Sequence, residues 1–124
     1  MNACYIHRQL LADGFNASRQ VLIALGDEHR QQIFLALLET VHEGMRVPEL
    51  MARTHLSRPA LSRHLKILKE AGLVEMHRIG TKNFYYAATN EEYWADLYAL
   101  IGQVQETVRA AKANGYPRFE EEEQ

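Results

Sequence analysis

The segment LSRPALSRHLKILKEAGLV, from Leu56 to Val74, constrains the fold more than any other part of the chain. Leu61, Leu65 and Leu68 stand four and then three residues apart, the spacing that stacks side chains on one face of an α-helix. Ser57 offers a hydroxyl to cap the first turn, and Pro59 falls within that turn, where a missing N–H costs little. Gly72 suits the left-handed residue that follows a helix, with Leu73 placed to fold back on Leu68. These signals predict a helix from Arg58 to about Ala71 whose leucine flank turns into a core. The other flank then carries Arg58, Pro59, Ser62, Arg63 and Lys66 outward, its cations among them.

Those cations belong to a wider sign split. Between Arg46 and Lys82 eight cations face three acids, a net +5, and the rest of the chain holds six cations against thirteen acids, a net −7. The overall charge of −2 therefore hides a basic middle segment, which argues for an anionic partner there.

The neighbouring stretches place this helix in a small mainly α fold. A short helix containing Ile6, Leu10 and Leu11 is expected before about Asp13, and a second helical pattern from Asn16, with Val21, Leu22 and Leu25 on one side, breaks at Gly26. Asp27 is a good N-cap for a helix that runs through Ile33, Phe34, Leu37, Leu38 and Val41 to a stop at Gly44. Pro48 opens a short helix to Thr54, with Glu49 near its positive end, and His55 and Leu56 form a tight connection to Ser57. Val74 to Arg78 and Asn83 to Ala88 read as two strands around a bend at IGTK. Thr89 and Glu92 have capping-box spacing for a last helix bearing Tyr93, Leu97, Leu100, Ile101, Val104 and Val108, which ends near Asn114 and Gly115.

A short helix, a tight turn, a helix basic on its outer flank and a hairpin directly after it make the order of a winged helix-turn-helix. The major groove of DNA admits one α-helix, whose first side chains meet base edges while neighbouring cations hold phosphates. Ser57, Arg58, Pro59, Ser62 and Arg63 at the start of the helix, with Lys66 further along, are the candidate contacts; Arg78, Thr81 and Lys82 on the hairpin would reach the adjacent groove or its phosphates. An arginine at Arg63 can offer two parallel hydrogen bonds to guanine O6 and N7, whereas Lys66 and Lys69 suit the backbone, Lys69 with a competing role at the helix's negative end. His64, three residues after Leu61 and four before Leu68, is expected to be partly packed instead of touching DNA.

The stretches ALGDEHRQQIFLAL, ELMARTHLSRPALSRHLKILKEAGLV and RIGTKNFYYA resemble the ArsR/SmtB family of bacterial winged-helix repressors, from about Leu22 to Ala88. The resemblance implies a homodimer joined through its first and last helices, with two recognition helices reading a palindromic double-stranded DNA operator. It places Arg58, Pro59, Ser62 and Arg63 at base-reading or phosphate-binding positions, with Arg78 and Lys82 assisting. Residues 1–115 would then form the DNA-binding and dimerisation domain, and the acidic residues 116–124 a disordered tail. Two positions depart from the pattern: His55 stands where glycine is common in the turn, and Thr54 where an apolar residue is usual.

Many members of that family sense metals, and the ligands they use are missing. Met51 and Arg53 occupy the positions of a Cys-x-Cys thiolate site, and no histidine follows His77 to build a last-helix zinc site. The single Cys4 excludes a switch based on a disulfide within one chain. A regulator without the usual metal sites, and without a cofactor, is therefore expected. One alternative is a non-standard sensor starting from Cys4 and His7, which face the same side of a helix but fall short of the three or four ligands zinc takes. Another is a protein-interaction module that keeps the winged fold and reads no DNA. Tyr93, Trp94 and Tyr98 either line a small-molecule pocket or join the core. No catalysis is expected: Ser57 is occupied as a cap, and no carboxylate in sequence is placed to orient His55 or His64 beside Ser57 or Ser62. The N-terminal residues lack a cationic segment followed by an apolar run, and no stretch approaches the roughly 18 apolar residues of a membrane span. A cytoplasmic protein is the expectation.

Overall fold

A computed structural model describes residues 3–115 and 117–119, the side chains of Ala3 and Cys4 excepted. The expectations placed on Cys4, and on most of the acidic tail, lie outside the described residues. The elements in chain order are α1 (Ala3–Leu25), α2 (Glu28–Glu39), α3 (Val47–Thr54), α4 (Arg58–Glu70), β1 (Val74–Ile79), β2 (Lys82–Ala87) and α5 (Glu92–Ala113). They fall into two compact units, one of Arg19–Tyr93 and one of Met1–Ser18 with Trp94–Gln124. No helix among the described residues is long and apolar enough to cross a membrane.

The core of the unit Arg19–Tyr93 is built on α4. Leu61 and Leu68 are fully buried and Leu65 nearly so, among Ile33 and Leu37 of α2, Leu50 of α3, and Leu73 and Val74 at the start of the hairpin. α4 packs against α2, α3 and β1, so the whole leucine flank has partners. Its end is closed by a Schellman motif: the Leu73 N–H donates to Leu68 O at 3.0 Å and the Gly72 N–H to Lys69 O at 2.9 Å. Gly72 has φ +80, and a Cβ there would stand 2.5 Å from the Tyr93 ring, so both backbone and space demand glycine.

β1 and β2 pair antiparallel from Val74↔Ala87 to Ile79↔Lys82, around the two-residue turn of Gly80 and Thr81. Gly80 has φ +64 and Thr81 is not among the positive-φ residues, the arrangement of a type II′ hairpin turn. Met45 adds a one-residue bridge to Tyr85, donating its N–H at 2.9 Å and accepting at 2.8 Å. A single residue carries no period, and this pairing has no mark in the sequence.

α2 begins as expected, with the Asp27 carboxylate accepting the Arg30 N–H at 3.1 Å. It ends earlier than Gly44: Thr40 turns its hydroxyl back onto Ala36 O at 3.1 Å and its N–H onto Leu37 O, closing the helix at Glu39. Leu38 and Val41, expected in the core stripe, are exposed, while Ile33, Phe34 and Leu37 are buried.

The two predicted N-terminal helices are one, α1, running through Gly14. A Cβ on Gly14 would lie 3.0 Å from Leu100 Cδ1 on α5, so this glycine admits a close neighbour within an unbroken helix. The His7 ring and the Thr107 hydroxyl also join α1 to α5, at 2.7 Å. The capping box expected from Thr89 and Glu92 does not form: Asn90 Oδ1 accepts the Glu92 N–H at 2.8 Å. Of the predicted apolar spacing on α5, Leu97 and Leu100 are buried, whereas Ile101 and Val108 are exposed. Tyr98 is 83% exposed and so lies outside the core.

Because Leu61 is buried and Lys66 exposed on the same helix, their replacement by alanine should differ sharply. Urea unfolding should show Leu61→Ala destabilised by about 2–5 kcal/mol and Lys66→Ala within about 0.5 kcal/mol of the parent.

Candidate nucleic-acid interface

The outward flank of α4 starts at a well-defined cap. The Ser57 hydroxyl accepts the Ala60 N–H at 3.3 Å, with Ser57 itself in extended backbone. Before it, His55 adopts the left-handed conformation, φ 60 and ψ 20, and donates its N–H to Met51 O at 2.8 Å to close α3. The turn thus has the geometry a glycine would give, imposed on a histidine. Thr54, the other departure, is buried, but its hydroxyl donates to Leu50 O at 2.7 Å and accepts the Leu56 N–H at 3.4 Å. A satisfied hydroxyl is tolerated where an apolar side chain is usual.

Ser57, Arg58, Pro59, Ser62, Arg63 and Lys66 are all exposed. Among the described residues no ion pair takes up Arg58, Arg63 or Lys66, so their charges face solvent. His64 is half-buried, and its Nδ1 lies 3.2 Å from Arg30 Nη1. Burial, aided by the nearby cations, pushes the His64 ring below the usual histidine range against the pull of Asp27, which favours the neutral form at neutral pH. Asp27 is held below its ordinary value chiefly by the hydrogen bond from Arg30. A carboxylate is therefore near His64 after all, contributed by a residue 37 positions earlier and invisible to local spacing.

Arg78, Thr81 and Lys82 are exposed at the tip of the hairpin, where the Arg78 Nε–H donates to Gly80 O at 3.2 Å. Thr81, Lys82 and Asn83 share a cleft of about 210 Å³ with Arg58 and with Arg46, Val47 and Pro48 at the start of α3. The structure thus joins Arg58, Thr81 and Lys82 in one basic recess. Arg63 and Lys66 continue along the helix, outside that recess. Arg46, in the sequence only one cation of the basic segment, also lines it. The Met45–Tyr85 bridge brings it to the hairpin, and that bridge leaves no trace in the sequence.

A short helix, a tight turn, a second helix with a cationic outer flank, and a two-stranded wing define a winged helix-turn-helix fold of the DNA-binding kind. The family model "Bacterial regulatory protein, arsR family" matches residues 27–76. The HTH-type transcriptional regulator MJ1325 of Methanocaldococcus jannaschii is 35% identical over 72 residues, 58% of this chain and 79% of that one. Among solved structures, the transcriptional repressor BigR from Xylella fastidiosa aligns with a TM-score of 0.58 at 27% identity, covering 75% of this chain and 91% of that one. The homodimeric winged helix-turn-helix DNA-binding domain of Mb0332 from Mycobacterium bovis aligns with a TM-score of 0.57 at 27% identity, covering 88% and 93%. The chain belongs to the arsR family of transcriptional regulators.

The Ser57 cap gives α4 its first turn. Ser57→Ala should cost about 1 kcal/mol of stability, measured as a lowered urea midpoint with an unchanged slope.

Proposed function

We propose that this protein is a transcriptional repressor that binds a palindromic operator as a homodimer in the cytoplasm. The observation that carries the reading is the unpaired cationic flank of α4, set next to the basic recess at the wing. Arg63, with Arg58 and Ser62, reads base edges in the major groove. Ser57, Pro59 and Lys66 fix the helix against the sugar–phosphate backbone. Arg78, Thr81 and Lys82 hold the adjacent backbone, and Arg46 joins them. The repressor role follows the relative BigR, and homodimer assembly follows the Mb0332 domain.

Two faces of the second unit support the dimer. Ile6 and Leu10 lie four residues apart on α1, Ile101 and Val108 seven apart on α5, and all four are exposed. Apolar side chains repeating at helical spacing on a surface call for a cover, and a second copy supplies it with two-fold symmetry. The same symmetry sets two recognition helices about one turn of DNA apart, roughly 34–36 Å.

Titrations against selected operator fragments and random duplex separate the roles. Arg63→Ala should lose about 1–3 kcal/mol on the operator and relax its base preference; Lys82→Ala and Arg46→Ala should weaken both duplexes alike and reduce the salt slope by about one each. Equal losses on both duplexes for Arg63→Ala would contradict the division of labour. In sedimentation at micromolar concentration, the double variant Ile101→Glu, Val108→Glu should run as a monomer and the parent as a dimer.

A further inference from the structure

The regulator's usual thiolate and last-helix metal positions are filled by other residues, yet the fold assembles a set of ligands elsewhere. Asp27, His29 and His64 each offer a ligand atom, and these atoms all lie within 4.8 Å of one another. Asp27 caps α2, His29 follows in its first turn, and His64 comes from α4, beside Arg63. The two imidazole rings are 5.7 Å apart between centroids and tilted by 41°. We propose that Asp27, His29 and His64 form an open binding site for a divalent transition metal ion of the zinc, cobalt or nickel type.

The donor set suits such an ion. Two imidazoles and one carboxylate match borderline metals, and three protein ligands leave a position for water. Bonds of about 2.0–2.2 Å at tetrahedral angles bring ligand atoms to about 3.3–3.5 Å from each other, so side-chain rotations of roughly an ångström close the site. The carboxylate is already oriented, because Asp27 Oδ1 accepts the Arg30 N–H. Such an outer hydrogen bond is what commonly fixes a metal-bound carboxylate.

Arg30 also determines how His64 enters. A guanidinium can only donate, so at 3.2 Å from Arg30 Nη1 the His64 Nδ1 presents its lone pair. A metal ligated through this nitrogen would displace the Arg30 contact. The guanidinium does not lose its place, since Nε donates to Ala24 O at 2.7 Å and Nη2 to Ile23 O at 3.2 Å. An adjacent cation opposes a divalent ion, so binding is weaker than in an all-anionic site.

The test uses the full chain and cobalt(II), whose visible absorption reports coordination number and stoichiometry. One cobalt(II) per chain with tetrahedral bands, displaced by zinc, is expected. His29 is exposed, so His29→Ala keeps the fold, as circular dichroism will show, and should abolish the bands; Asp27→Asn and His64→Gln should weaken them strongly. Cys4→Ala should leave them unchanged. Absence of binding by the parent, full binding by His29→Ala, or loss of binding in Cys4→Ala each overturns the site.

Discussion

The burial of Leu61, Leu65 and Leu68 against α2, α3 and β1 is the constraint on which the rest of the structure depends. Each leucine removed from water contributes on the order of 1.5–3 kcal/mol, so the flank as a whole fixes the roll of α4 about its axis. A helix is rigid on this scale, and once one flank is set the other has no freedom. Arg58, Ser62, Arg63 and Lys66 point to solvent because the leucines between them point inward. No separate interaction is needed to present the cations.

The ends of α4 extend that control to its surroundings. At its start the left-handed His55 and the Ser57 cap turn the chain sharply, so α3 and α4 share the Leu50 and Leu61 core while their N-termini approach the same recess. At its end the Schellman motif reverses the chain into β1, and the Ala88 N–H returns to Leu73 O at 2.9 Å. The hairpin is therefore tied at its base to the stop of α4. A type II′ turn then projects Thr81 and Lys82 toward Arg58. Cations from three separate stretches gather on one side, and a field of one sign over a concave surface draws in a polyanion and raises its rate of encounter.

How much of this is legible in the sequence follows from how far each signal reaches. α4, its cap and stop, the hairpin and the start of α2 are written in residues within a few positions of one another, and they stand where their capping and spacing rules put them. The helices expected before Asp13 and from Asn16 are one, and Gly14 between them admits Leu100 of α5 without ending the helix. Leu38, Val41, Ile101 and Val108 satisfy helical periodicity but are uncovered in one chain, since a period reports a stripe and not its partner. Arg46 at the wing and Asp27 beside His64 are the hardest cases. Both depend on chain crossings that no local pattern encodes.

Under the proposed function, the face of α4 opposite its leucines, with the tip of the hairpin, lies against a duplex. Backbone hydrogen exchange of the full chain, with and without a saturating operator duplex at low ionic strength, tests it most directly. New protection is expected in the first turns of α4, around residues 57–66, in the wing, around residues 78–83, and around Arg46, with α2, Glu28–Glu39, unchanged. Protection centred on α2, or none at the start of α4, would contradict it.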